Sequence, residues 1–247
     1  MYRLRSRTAC APPTMANPWP PASLVSLLAT NTRHDLFTLG ILRRFPARQT
    51  IIRQGGTDDH ALLLLSGSVK ITCIDESGCE ALLAIRVGGD LIGEMAPLQR
   101  KPRSATVIAC SEVYARILSR AMFTNFLETH ADAAIEVAKM VMSRLRWANQ
   151  RRLDFVACPA SVRVGRVLVE LALIYGWSGV QGSEISVPMT QPELASLAGV
   201  ALTMVEKALG ELHRQGIVVR RYRQVLVTDM RRLCEFSGFA PENPENP

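Results

Sequence analysis

Two stretches of this chain carry side chains whose types and spacing can do chemistry. The first runs Gly88-Gly-Asp-Leu-Ile-Gly93-Glu94-Met95-Ala-Pro-Leu-Gln-Arg100-Lys101-Pro-Arg103-Ser104-Ala-Thr-Val107. Gly93 lets backbone amides approach a ligand closely. A short helical turn after it presents free N–H groups to an anion. Arg103 brings a fork of donors suited to phosphate. Glu94 is an odd neighbour for an anion unless it accepts hydrogen bonds from a sugar hydroxyl, with Arg103 moderating its charge. A lone Gly-Glu or Arg-Ser says nothing; the combination inside a β-rich segment points to a ribose and a phosphate held together.

The second stretch is Thr190-Gln191-Pro-Glu193-Leu-Ala195-Ser-Leu-Ala-Gly199-Val-Ala201-Leu202-Thr203-Met204-Val205-Glu-Lys207-Ala-Leu209. Thr190 and Glu193 form a capping box. Ala195 is small where two helices approach, Gly199 permits a left-handed turn, and Val205 is apolar where the second helix packs on the first. These are the requirements of a helix-turn-helix. Lys207 and Arg214 follow on the second helix, and Arg220, Arg221, Tyr222 and Arg223 cluster where a hairpin tip is expected. Such a tip suits the phosphates of nucleic acid, which set affinity and position.

The bulk composition fits. Lysines and arginines exceed acidic residues to give a net charge of +7, which favours a polyanionic partner. The longest apolar runs, such as Ala61 to Leu65, are far short of the roughly 20 residues that span a bilayer. No apolar segment follows the N-terminal arginines, so a cytoplasmic location is expected. Cys10, Cys73, Cys79, Cys110, Cys158 and Cys234 include no Cys-x-x-Cys pair, and His34, His60, His130 and His213 are dispersed. No metal site and no catalytic constellation is expected, so the reading is not an enzyme.

The elements that must position these residues follow from periodicity. Residues 1–22 are Pro-rich and Arg-bearing and read as a flexible arm. Residues 23–38 suit a short helix. From 45 to about 118, apolar or β-branched runs (Thr50 to Ile52, Ala61 to Leu65, Val69 to Thr72, Ala81 to Val87, Ala105 to Ile108, Val113 to Leu118) alternate with Gly, Asp and Ser turns. Many short strands at close spacing predict an antiparallel barrel or sandwich. From 120 to 157 the period becomes helical. Ile135, Ala138, Met142, Leu145, Asn149, Arg152 and Val156 recur at alternating spacings of three and four. A helix lying on its own domain gives such a stripe, and so does a coiled-coil seam. The polar positions Asn149 and Arg152, which fix register in a seam, favour a dimer helix. Cys158-Pro159 ends it and reads as a hinge. Beyond it come a helix around Val164 to Ile174, a short strand from Glu184 to Pro188, the two helices of the motif and a hairpin from Ile217 to Val227. The Pro-Glu-Asn tail is expected to be disordered.

Together these residues resemble the cyclic-AMP receptor protein / fumarate-nitrate reduction regulator (Crp-Fnr) family of bacterial transcription regulators over residues 24–232. The segment Gly93 to Val107 is also similar to the cyclic-nucleotide pockets of protein kinase regulatory subunits. The resemblance implies an α+β fold: an N-terminal antiparallel β-roll of jelly-roll type that binds a cyclic nucleotide (23–125), a dimerisation helix and hinge (126–158), a C-terminal winged helix-turn-helix (159–236) and a tail (237–247). It implies cyclic AMP as an allosteric ligand on Gly93, Glu94, Met95, Arg103 and Ser104. It also implies base contacts from the dimer helix at Ala148 and Asn149, a homodimer on double-stranded DNA, and contact with RNA polymerase. DNA contacts are expected from Thr190, Gln191, Ala201, Leu202, Thr203, Met204, Lys207, Arg221 and Arg223.

The chain departs from the family in three places. Ala148 and Asn149 replace hydroxyl residues. Arg86 replaces an apolar pocket residue, where it could take a guanine edge or a second phosphate and so admit cyclic GMP or cyclic di-GMP; the alternative is that it reaches out to solvent. Leu202 and Thr203 replace the Arg and Glu that read a G·C pair, and Leu202 and Met204 offer only apolar contact, for example with a thymine methyl, so the usual operator is not expected to be the best site. The implied mechanism is a population shift that sets two recognition helices about 34 Å apart. Three rivals stand beside it: a ligand-independent regulator of the same family, a nucleotide-binding interaction module without specific DNA readout, and an iron–sulfur or haem sensor.

Overall fold

Leu62, Leu63 and Leu64 are all fully buried, although successive residues of a strand point to opposite faces. Both faces of their strand are therefore covered, and this sets the layering of the N-terminal half. The computed structural model describes residues 19–179, 182–185, 189–221 and 224–239. Helices α1 (Leu24–Leu27) and α2 (Thr30–Thr38) precede strands β1 (Ile41–Phe45), β2 (Thr50–Ile52), β3 (Ala61–Ser66), β4 (Ser68–Ile74), β5 (Glu80–Val87) and β6 (Leu91–Ile92). A short helix α3 (Met95–Gln99), then β7 (Thr106–Ala109) and β8 (Val113–Leu118), complete this half. Two antiparallel sheets form, ordered β1-β8-β3-β6 and β2-β7-β4-β5. Leu62 and Leu64 meet Phe45, Ile52, Val69, Val107 and Val113 between the sheets. Ala61 and Leu63 face the other way, onto Leu24, Leu36, Phe123, Phe126 and Val137 of the helices.

Helix α4 (Arg120–Thr129) leads into the long α5 (Ala131–Ala157), which is followed at Pro159 by α6 (Ala160–Tyr175). Strands β9 (Gly176–Gly179) and β10 (Gly182–Ile185), the helix pair α7 (Gln191–Ala198) and α8 (Leu202–Arg214), the hairpin β11 (Val218–Arg221) and β12 (Gln224–Val227), and α9 (Met230–Ser237) make the C-terminal unit. Its sheet runs β11-β12-β10-β9. This is the expected α+β architecture of roll, long helix and winged helix-turn-helix.

Three local expectations are corrected. The segment 23–38 is two helices rather than one, because Leu28 and Ala29 are extended. The expected arm does not reach residue 22: Trp19 donates its indole N–H to the Leu65 carbonyl (2.9 Å) and packs on Phe37. The expected tail starts later than 237, because Ser237 ends α9 and Phe239 stacks on Trp147 of α5 at 5.9 Å. Residues 186–188, in the expected strand, lie outside the described residues. No described helix is long and apolar enough to cross a membrane.

The two halves are packed against each other. Leu82 and Ile85, on β5, belong to the hydrophobic cluster of the C-terminal unit, with Leu168, Leu194 and Leu209.

Candidate functional site

The cassette begins where β6 ends. Gly93 has φ 70°, and a Cβ there would lie 2.8 Å from both Arg103 Nη1 and Ile52 Cδ1, so only glycine fits. Past Gly93, Glu94 turns inward and is 6% exposed; Arg103 is 4% exposed. Arg103 donates from Nη1 to the Gly93 carbonyl (2.8 Å), from Nη2 to the His60 carbonyl (2.7 Å), and from Nε and Nη2 to Asp58 Oδ2 (2.9 and 2.6 Å). A guanidinium has five N–H donors, so an Nη1 N–H is left for an anion. The same charge shapes its neighbours. Burial opposes ionisation of Asp58, but hydrogen bonds and charge from Arg103 outweigh it and hold the carboxyl below its ordinary range. Burial, then the Arg103 charge, lowers His60. Met95 and Ser104 are exposed, with Ser104 Oγ 3.7 Å from Met95 Sδ.

Glu94 Oε1 accepts from Arg144 Nη1 (2.8 Å), and Arg144 Nη2 donates to the Leu91 carbonyl (2.8 Å). The long helix is thus pinned to the cassette by a residue that sequence reasoning missed. Its signal was present: Arg144 lies one helical turn before Ala148 and so on nearly the same face. Ala148 and Asn149 themselves are exposed on α5.

Arg86 is half-buried, and one end of its guanidinium is held inside the chain. Its Nη1 donates to the Ile85 carbonyl (2.9 Å) and to Tyr175 Oη (3.0 Å), and its Nε is buried. Tyr175, the last residue of α6, donates to the Ile85 carbonyl (2.7 Å), and Asp90 Oδ2 lies 3.3 Å from its oxygen. Burial pushes the Tyr175 phenol far above its ordinary value. The reason is packing: Ile85 and Tyr175 belong to one apolar cluster, and Arg86 is drawn in with them. Burial, then the Arg86 charge, lowers Arg144, with Glu94 and Asp90 opposing. A charged layer therefore runs from the cassette through α5 to α6.

Further contacts hold the C-terminal unit in place. The Leu82 amide donates to Ser196 Oγ (3.0 Å), and Lys70 lies 3.5 Å from Glu193. Arg151 of α5 binds Glu170 (2.6 Å) and the Leu83 carbonyl (2.7 Å). Arg166 pairs with Asp154 and donates to the Ser237 carbonyl. Gly199, at φ 60°, leaves no room for a Cβ beside the Phe155 ring.

The helix pair forms as its residues require. The Thr190 hydroxyl accepts from the Glu193 amide (3.3 Å), while the Glu193 carboxylate accepts from the Thr190 amide (2.9 Å). Gln191 starts α7, and Thr190 and Gln191 are half-buried. Ala201, Leu202, Thr203, Met204 and Lys207 are exposed at the start of α8, opposite its buried Val205, Ala208, Leu209 and Leu212. Arg221 is exposed on β11; Tyr222 and Arg223 lie outside the described residues. Among the described residues, no cluster of His, Cys, Asp and Glu is arranged to hold a metal ion.

Comparison with known proteins agrees with this geometry. Residues 42–130 match the cyclic nucleotide-binding domain family, and residues 162–236 match the Crp-like helix-turn-helix domain family. The chain is 27% identical over 190 residues to the CRP-like cAMP-activated global transcriptional regulator of Mycobacterium tuberculosis, covering 77% of this chain and 85% of that protein. It is 26% identical over 194 residues to the cAMP-activated global transcriptional regulator Vfr of Pseudomonas aeruginosa, covering 76% and 90%. The structure of FixK2 from Bradyrhizobium japonicum shares the fold, with a TM-score of 0.69 at 20% identity over 80% of this chain and 97% of that one.

Proposed function

The chain belongs to the Crp-Fnr family of transcription regulators, joining a cyclic nucleotide-binding domain to a DNA-binding helix-turn-helix, and on that premise we propose that it is a homodimer whose operator affinity is set by cyclic AMP. The observation that carries this reading is the pair of buried polar side chains around Gly93. Arg103 supplies the phosphate donor, Glu94 the acceptor for a ribose hydroxyl, and Ser104 lies exposed. Arg86 donates to Tyr175, which supports cyclic AMP over cyclic GMP or cyclic di-GMP as long as that contact persists when ligand binds.

The dimer reading rests on the seam. Ile135, Met142, Leu145 and Val156 are 54, 58, 59 and 90% exposed, an apolar stripe that a second copy of the helix would cover. Asn149 lies in that stripe, next to Ala148.

The ligand acts by exchanging partners. A ribose hydroxyl on Glu94 competes with Arg144, and a phosphate on Arg103 competes with Asp58. Release or rotation of Arg144 changes the seating of α5, and the contacts of Tyr175, Ser196 and Arg151 respond at the hinge. The liganded dimer spaces its α8 helices for successive major grooves and engages RNA polymerase from a cytoplasmic location.

A second reading has its own observation. Asp58 and Arg144 already pair with Arg103 and Glu94, as in a ligand-independent regulator that keeps the cassette as scaffold. Calorimetric titration of nucleotide-stripped protein with cyclic AMP, cyclic GMP and cyclic di-GMP separates the two. Micromolar or tighter binding of cyclic AMP, lost in Arg103→Ala, is expected. A folded dimer giving no heat with any of the three would leave the scaffold reading.

A further inference from the structure

Helix α8 turns Val205, Ala208, Leu209 and Leu212 into the core. At 3.6 residues per turn, the opposite face carries Thr203, Lys207, Gly210 and Arg214. Leu202 and Met204 flank Thr203 in the first turn, 41% and 37% exposed.

Two features at or beside that face are not required by packing among the described residues. A glycine in a helix is less stable than an alanine. A Cβ at Gly210 would have open space within 4 Å, so packing does not demand the glycine. Gly55, Gly78 and Gly216 also face open space, but their φ values of 77°, 83° and 71° require glycine; Gly210 sits inside an ordinary helix. The second feature is the pair Leu202 and Met204. Large apolar side chains stand exposed at the helix end that a helix-turn-helix inserts into the major groove.

We propose that α8 reads its operator through thymine methyl groups contacted by Leu202 and Met204, and that Gly210 is where bare helix backbone lies against the groove wall. The inference rests on the DNA-binding reading above. Duplex DNA is the occupant that fits a face both apolar and cationic. Lys207 and Arg214 share the stripe with Gly210, and Arg214 Nε is folded back to 3.4 Å from the Gly210 carbonyl. Leucine and methionine offer no strong donor or acceptor for guanine O6 and N7 or cytosine N4, whereas thymine alone presents a methyl group in the major groove. A side chain at position 210 would hold the helix off by the width of a methyl group.

The test is selection by the full-length protein, with and without cyclic AMP, from randomised duplexes. Each half-site thymine of the enriched duplex is then replaced by deoxyuridine, which removes only the 5-methyl group. Affinity is expected to fall about fourfold at each thymine touched by Leu202 or Met204, the size of one buried methyl. Leu202→Ala should abolish that sensitivity at its own thymine. Gly210→Ala should raise the Tm while weakening selected and unselected duplexes alike by about tenfold or more. An enriched duplex insensitive to every deoxyuridine replacement overturns the methyl readout. Wild-type DNA affinity in Gly210→Ala overturns the close approach. In both cases the DNA-binding reading survives. Failure to enrich any duplex sinks that reading and this inference together.

Discussion

In the roll, Arg103 and Glu94 are 4% and 6% exposed, and each already holds a partner from the same chain, Asp58 and Arg144. On α8, Leu202, Met204 and Lys207 stand out from the surface. The cassette's external contacts would be made by groups that already carry internal ones, so a ligand there would share or displace bonds to Asp58 and Arg144. The residues of α8 expected to meet DNA are already exposed, so on the proposed function control would act on where α8 is held and not on whether it forms. The charged layer of Glu94, Arg144, Arg86 and Tyr175 runs from the cassette toward the C-terminal unit, and Tyr175→Phe tests whether it couples the two.

The comparison breaks most severely if the two faces do not belong to one dimer. Leu145→Glu places a charge in the middle of the exposed seam. It is expected to convert a dimer to monomer in sedimentation and to lower operator affinity by about 100-fold or more, because two linked half-sites become one. A dimer that persists would remove the seam from the account. Arg103→Ala comes next. Loss of the charged donor should weaken cyclic AMP by about 100-fold in calorimetry, while DNA binding by the unliganded protein stays at its basal level. An equal loss in both would mean that Arg103 serves the fold and not the ligand.

Tyr175→Phe sharpens the comparison from the middle. The substitution removes the donor to Ile85 and the acceptor of Arg86, whose Nε is buried as well. A cost of about 1–3 kcal/mol is expected, because a buried cation loses a partner. It should appear as a lower Tm and faster hydrogen exchange in β5 and α6. Operator binding without ligand should rise if the docked arrangement is the silent one; unchanged basal binding would leave Tyr175 a packing residue only.

What the sequence discloses follows the range of each interaction. Gly93, Glu94 and Arg103 are legible together because they lie within one short stretch. Their partners are not: Arg144 is 50 residues from Glu94, Asp58 is 45 from Arg103, and Tyr175 is 89 from Arg86. Strand β3 is legible as an unbroken apolar run because both of its faces are covered. Strand β1 is not, since Ile41, Leu42, Arg43 and Arg44 are all exposed and no alternation survives. Strand β6 is two residues long and carries no period. The partner of Arg86 is hidden for a related reason: only the docking of α6 on β5 brings Tyr175 to its Nη1.

The smallest effect concerns the residues that hold Arg103. His60 is lowered from its ordinary 6.5 by burial and by the Arg103 charge. The unfolded chain therefore takes up a proton near that value while the folded chain resists it. Stability from this group is present above about pH 6.5 and falls as the solution is acidified through the folded value. Asp58, also lowered, acts in the same direction at lower pH: its contribution is present above the unfolded carboxylate value of about 3.9 and lost as pH falls through the folded one. Because the Asp58 side chain is 45% exposed, solvent screens the pair, and less than about 1 kcal/mol is expected. Thermal melts from pH 7.5 to 3 should show two shallow declines. His60→Gln should flatten the upper one and Asp58→Asn the lower. If Asp58→Asn also strengthens cyclic AMP binding, the carboxylate competes with the phosphate for Arg103. If it weakens binding, Asp58 instead orients the guanidinium for the ligand, and the exchange of partners begins at Arg144 alone.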